Sequence, residues 1–483
     1  MKHIFFSLFA LLFLAACSSN ENRTINEDVA AFVESNPQIS VFGSIDAKTI
    51  LDKAEYKSID KFGETIDKEM KTIQSILNFD TPIYFAMNGT LDERGNPGVI
   101  YAFAEVKNKE SLTSNIQKRG FDVDKGTDYN FHESGDVAFG ITDKRAVFVI
   151  KEGLTDGKKL VEEAIAGLKE DTPDNKVTEI LNQKADIVVG VDVEASFLGT
   201  MSKLKMEEDK KTELTEMLTG SYTQMTISFE KGAIDLKSTN YFSDGLKEWM
   251  MFGNNSSKML SQLGSGRPQA GIIVDFDMKK LQKFMDKYAP NAMSEIGKQG
   301  GGQAQMALAF AGEEGLAGLW TGKFGAVMMG NTDADGSFKP EFNYQVGLGK
   351  GILTLAKGML DGMKGNVAKM SLKGNTLTAY SSELYMPGKG GLKLPRGCEN
   401  FGKKPISGFV SFDGLDLSSM DLEEGKEFVE MLDYMIFEMD AEGAHFYVKS
   451  KNNKDNILKQ VVDQTMKSLK GNFNDVNVDI TNS

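Results

Sequence analysis

The chain is predicted to be α+β, with antiparallel or mixed sheets, helices packed on one face, and an internal duplication in A-B-A-B order. Three observations predict this. An apolar strand that ends in Asp and leads into an amphipathic helix occurs four times, at Asp46, Asp192, Asp277 and Asp413. Several strands follow one another through short Gly/Asp turns, which suits antiparallel pairing better than a doubly wound sheet. Apolar residues elsewhere recur at helical spacing, as in Ile66, Met70, Ile73 and Leu77.

The first element is an address. Met1-Lys2-His3 brings positive charge, and Ile4 to Leu14 is apolar apart from Ser7. At 1.5 Å per residue such a run covers only about half of a ~30 Å hydrocarbon core, so residues 1–16 read as a signal peptide rather than a spanning helix. The run ends Leu14-Ala15-Ala16-Cys17, which resembles the bacterial lipobox. That resemblance implies that Cys17 becomes the acylated, palmitate-bearing first residue of the mature chain. At about 0.8 kcal/mol per buried CH₂, a multiply acylated Cys17 holds the membrane without a transmembrane helix. By likeness to bacterial lipoproteins, Ser18 in place of Asp implies the outer membrane. Asn20-Glu21-Asn22-Arg23 carries one acid and one base, so the periplasmic or surface-facing side is left open. Residues 17–35 are expected to be a polar tether.

The body follows in order. The first A unit runs from Asn36-Pro37-Gln38 to Asp46, and the first B unit ends its strand at Asp192. The second A unit runs from Arg267-Pro268-Gln269 to Asp277, and the second B unit from Lys404-Pro405 to Asp413. The long, short, long spacing of these Asp residues divides the body into homologous halves at 36–264 and 265–483. Turns Asp92-Glu93-Arg94-Gly95 and Asp333-Ala334-Asp335-Gly336 read as matching hairpin connections. Gly232-Ala233 and Lys237-Ser238 have counterparts in Gly443-Ala444 and Lys449-Ser450. A last helix carries Ile457, Val461, Met466 and Leu469 on its apolar stripe.

Composition excludes several function classes. A net charge of −14 gives no electrostatic footprint for nucleic acid, which carries one negative charge per ~1.7 Å of duplex. Three His and two Cys leave little from which to build metal or thiol chemistry, and no cofactor is expected. Asp333-Ala334-Asp335-Gly336 starts like a calcium loop, but Tyr344 stands where the closing Glu belongs. Gly300-Gly301-Gly302 lacks the P-loop pattern around it. The four strand-ending Asp residues are read as helix N-caps, since recurrence in every unit argues for scaffold. His132 and His445 read as structural or solvated, and Cys398 as a lone thiol. Glu207-Glu208-Asp209 and Glu423-Glu424 read as solvated helix faces.

Methionine is the compositional oddity, with 25 residues. Met fills irregular cores and also lines adaptable binding surfaces, and the core reading comes first. Trp249-Met250-Met251-Phe252 is the densest apolar cluster, so Trp249, Met250 and Phe252 are the candidate ligand-binding residues.

With the lipobox, the Pro-led strand and the hairpin-helix segment in view, the chain resembles a Bacteroidota family of outer-membrane lipoproteins known only as a domain of unknown function. The resemblance rests on Pro37 to Asp46 with its helix, and on Tyr84 through Lys107-Asn108-Lys109-Glu110 to Gly120. It implies the address and the architecture, and brings no catalytic residues. The expected function is therefore non-enzymatic: a membrane-anchored envelope lipoprotein binding a protein partner or an apolar ligand in a groove. Two alternatives stand beside it, a carboxylate-based envelope hydrolase acting on glycans and a structural or assembly lipoprotein without a small ligand.

Overall fold

In a computed structural model of the chain, the described residues are 23–59, 62–89, 98–170, 175–201, 206–291, 309–330, 339–362, 369–388, 391–414 and 426–474. Among the described residues, seventeen strands form one sheet. In the first half they are β1 (Ile39–Ile45), β2 (Ile83–Asn88), β3 (Ile100–Glu105), β4 (Asn130–Ser134), β5 (Val137–Ile141), β6 (Arg145–Ile150), β7 (Ile187–Asp192), β8 (Tyr222–Glu230) and β9 (Ala233–Tyr241). In the second they are β10 (Ala270–Asp275), β11 (Trp320–Met329), β12 (Glu341–Leu348), β13 (Lys369–Lys373), β14 (Thr376–Tyr380), β15 (Ile406–Ser411), β16 (Leu432–Asp440) and β17 (Gly443–Ser450). Every pairing is antiparallel, and the spatial order is β4-β5-β6-β3-β2-β1-β7-β8-β9-β17-β16-β15-β10-β11-β12-β14-β13. The fold is thus mixed α+β and antiparallel. The expectation of separate sheets gives way to one sheet that crosses from half to half through β9 and β17, centred on Leu236 opposite Phe446.

The first half is covered on both faces, which corrects the expectation of helices on one face only. Alternate residues of β3 go to opposite cores. Tyr101 and Phe103 pack with Phe32 and Val161 from the helices Ile25–Ser35 and Gly157–Gly167. Ala102 and Ala104 pack with Ile73 and Leu112 from the helices Phe62–Ile76 and Lys109–Lys118. A strand buried on both sides reads as a continuous apolar run, and Ile100–Ala104 is one. Gly190 of β7 lies against the Phe42 ring, where a Cβ would collide.

The tether expected over 17–35 is also corrected for its described part. Ile25–Ser35 is a helix whose Val29, Ala30, Phe32 and Val33 are buried. Thr24 and Glu27 close a capping box at its start. Asp28 is fully buried and accepts from Arg145 Nε of β6 at 2.6 Å, with Arg23 Nε at 3.3 Å. The polar residues that suggested a tether are the helix's cap and its ionic pin. Cys17 and the signal segment lie outside the described residues, as do Asp92–Gly95, Gly300–Gly302, Asp333–Gly336 and Glu423-Glu424.

In the second half, one face of β10, β11 and β15 is covered. Ile273, Val327 and Phe409 pack there with Met259, Tyr385, Cys398 and Phe401, supplied by the short helix Ser256–Leu260 and irregular segments. Burial pushes the Cys398 thiol up to about 12, so it is a packing group rather than a nucleophile.

Candidate functional site

The opposite face of those strands carries the site. Side chains of paired residues share a face, so register alone identifies what lies there. One row of partners runs Tyr344–Ala326–Ile272–Gly408–Phe437–Phe446 across β12, β11, β10, β15, β16 and β17. It continues Leu236–Ile227–Ile187–Ile45–Ile83 across β9, β8, β7, β1 and β2. No member of this row is charged. The intervening residues of the central strands alternate to the other face and are mostly polar, Ile436 and Ala233 excepted. There Glu438 pairs with His445, and His445 with Lys237. His445 Nε2 meets Asp235 Oδ1 at 2.9 Å, and Lys404 meets Asp440. The middle of the sheet is therefore amphipathic.

On β10, β11 and β15 this apolar face forms a groove of about 470 Å³, lined by residues including Ile272, Met328, Tyr344, Met435, Phe437 and Phe446. Ile272, Met328 and Tyr344 are 41%, 40% and 40% exposed, far above a core residue, so the face is open to solvent. Gly408 makes the floor. A Cβ built there meets only the Gly271 carbonyl, at 3.3 Å, so the missing side chain leaves usable space between Ile272 and Phe437. Phe324 joins the groove to a second apolar hollow of about 410 Å³ with Val274, Trp320 and Val346. Both volumes fall in the range of roughly 300–1,000 Å³ typical of ligand sites.

The covered face of the same strands holds a different kind of space, a polar cavity of about 1030 Å³ bordered by β11, β12, β14 and residues 252–262. Asp275 is 1% exposed there, and its Oδ2 accepts from the Asn255 N–H while Oδ1 has no partner among the described residues. The buried Thr321 hydroxyl likewise has none. Lys258, Lys279, Lys323, Lys350 and Lys373 line the cavity, and Lys350 pairs with Glu314 at 2.5 Å.

The structure separates the residues singled out in the sequence. Trp249 packs on Phe284 and Tyr288 at 5.5 and 5.9 Å, in a small aromatic cluster between helices Glu208–Leu218 and Met278–Tyr288. Met250 is half-buried, and its carbonyl accepts from Lys280 Nζ. Phe252 alone reaches a cavity, stacking on Phe276 at 6.2 Å along the wall of the polar space. None of the three touches the apolar groove. Methionine divides between roles: Met259 is buried in the core, while Met328 and Met435 line the groove.

Three of the repeated Asp residues cap helices. Asp46 accepts from Thr49 N at 2.9 Å, Asp192 from Ala195 N at 2.9 Å, and Asp277 from Lys279 N and Lys280 N at 3.1 Å. Asp413 is an exposed turn residue next to residues outside the described set. His132 sits between Phe121 and Phe139 with Nδ1 on the Asp122 carbonyl, a packing environment. The groove residues escaped sequence reading although the alternation Phe342, Tyr344, Val346, Leu348 was visible. Alternation marks one apolar face without saying whether a second layer covers it.

No protein-family model and no curated protein matches the chain. A solved structure described as "Structure of crystal form I of TP0453" is similar at 10% identity with a TM-score of 0.21, over 75% of this chain and 93% of that one. Among the described residues, no helix is long and apolar enough to cross a membrane.

Proposed function

We propose that this chain is an outer-membrane lipoprotein of the cell envelope, anchored through acylated Cys17, whose duplicated body binds an acyl chain without catalysis. The observation that carries the reading is the open, uncharged groove over Gly408. Tyr344 supplies its sole side-chain hydroxyl, so polar ligand groups pressed onto the floor, such as those of a peptide, would go unpaired at a cost of roughly 1–3 kcal/mol each. A hydrocarbon chain has none to satisfy and contributes about 0.8 kcal/mol per CH₂ covered. The Leu14-Ala15-Ala16-Cys17 sequence supports the anchor.

Connectivity supports the duplication. β1 lies between β2 and β7 as β10 lies between β11 and β15, and the hairpins β8–β9 and β16–β17 follow in the same place. The junction is self-complementary. Ala233 and Gly443, which open β9 and β17, pair with Lys449 and Thr239, each the seventh residue of the other strand.

The test is a fluorescence titration of residues 18–483 with dansyl-undecanoic acid. Saturable binding should weaken at least tenfold in Gly408→Leu, whose side chain fills the floor, with the thermal transition unchanged. Absence of saturable binding, or equal binding by Gly408→Leu, would refute the acyl-chain reading.

A further inference from the structure

We propose that the polar cavity on the covered face binds an acidic sugar, a hydroxyl-rich ring or short oligosaccharide carrying carboxylate or phosphate. This site is independent of the acyl groove, from which the sheet itself separates it.

Charge is the first observation. The chain carries a net −14, yet this one cavity is lined by five lysines against three acids, Asp275, Asp277 and Glu314. Only Lys350 is paired, with Glu314. The ammonium groups of Lys258, Lys279, Lys323 and Lys373 have no ion pair or hydrogen bond among the described residues. Unpaired cations around one concave space raise the local concentration of anions, even on an acidic protein.

Unsatisfied buried polarity is the second. Asp275 is 1% exposed and its Oδ1 has no partner among the described residues, although the residue borders a space large enough for a ligand. A buried polar group left unpaired is destabilising, because it has given up its water without a replacement. Lysine ammoniums do not reach it, although Lys323 is its register partner on β11. The carboxylate calls for a donor from the ligand, which a carboxylate or sulfate ion does not have, which phosphate has only as its P–OH, and which a sugar supplies from several hydroxyls. The Thr321 hydroxyl, buried on the same wall and without a partner among the described residues, can accept from or donate to a second hydroxyl. An anion without a donor satisfies the lysines and leaves Asp275 orphaned; a neutral sugar does the reverse. An acidic sugar satisfies both.

The third observation is the wall. Phe252 and Phe276 stack at 6.2 Å and 26° between planes, and both line the cavity. A sugar ring offers an apolar C–H face to such a surface and polar edges to the groups around it. At about 1030 Å³ the cavity accommodates more than one ring.

Isothermal titration of the full chain in detergent tests this with four probes: trigalacturonate, glucose 6-phosphate, maltotriose and inorganic phosphate. At least one acidic sugar should bind tenfold or more tightly than both maltotriose and phosphate, the two acidic probes deciding between carboxylate and phosphate. The double variant Lys279→Ala/Lys323→Ala should lose at least tenfold in that binding, and Gly408→Leu should lose none. Preference for phosphate would make this an inorganic-anion site and overturn the sugar assignment. Equal binding of all four probes, no binding, or full binding by the lysine variant would overturn the proposal as a whole.

Discussion

Asp28→Ala should unlock the N-terminal helix while leaving the strands paired. In the structure the Asp28 side chain is 0% exposed and meets Arg145 Nε at 2.6 Å, with Arg145 itself 5% exposed. Arg145 Nη2 also donates to the Arg23 carbonyl at 2.9 Å, tying β6 to the residue before the helix cap. Removing the carboxylate leaves the buried Arg145 guanidinium with only a distant ion partner among the described residues, Glu105 Oε1 at 3.9 Å, a loss of up to about 3–5 kcal/mol. At 1.4 kcal/mol per decade, that is about two to three and a half powers of ten in the opening equilibrium. Native-state hydrogen exchange followed by mass spectrometry reads this directly on peptides covering residues 25–35. The companion variant Asp28→Leu/Arg145→Met removes both charges and should recover most of the protection, since apolar replacement of a buried pair is often neutral. The reasoning fails if Asp28→Ala costs less than tenfold in protection. It also fails if the double variant is as open as the single one.

Two further expectations concern acid–base balance and the anchor. Burial holds the Asp192 carboxyl above its usual value of 3.8, with the like charge of Glu194 adding to the shift. Its native state therefore binds the proton more tightly than the unfolded chain. The associated stability is complete below pH 3.8 and is lost as pH rises through the raised value. The thermal transition of Asp192→Asn, measured relative to the parent, should climb from pH 3.8 towards neutrality, and a flat difference would count against the buried-acid account. At the N-terminus, Cys17→Ser should abolish incorporation of labelled palmitate and release the chain from the membrane fraction; persistent labelling would place the lipid elsewhere.

Much of the local structure was legible from period and punctuation. The Asp-ended strands stand where expected, and Asp46, Asp192 and Asp277 cap the helices that follow them. What stayed hidden depends on pairing between distant residues. Thr24, Asn26, Glu27 and Asp28 look like a solvated linker until Arg145, far along the chain, supplies the partner that buries Asp28. Ile100–Ala104 is apolar throughout, but only the helices on either side show that both faces are used. The groove was out of reach for the same reason. Ile272, Gly408 and Phe437 belong to three strands, and nothing local to any of them announces that they form one floor. Phe252 stands out by apolar density, whereas Asp275 stands out only through the partner its Oδ1 lacks among the described residues.

The β9–β17 seam has an implication for ancestry and assembly. Its register maps onto itself about Leu236 and Phe446, which is the symmetry of an isologous contact between two identical subunits. A half-length chain ending in a β9-like strand could meet a second copy in this same register and form a closed two-fold dimer. Fusing two such copies would make the contact intramolecular, freeing each half to diverge without risk to the pairing. Among the described strands, the two surviving sheet margins, β4 and the lysine-bearing β13, would then be the edges left to guard against a third copy.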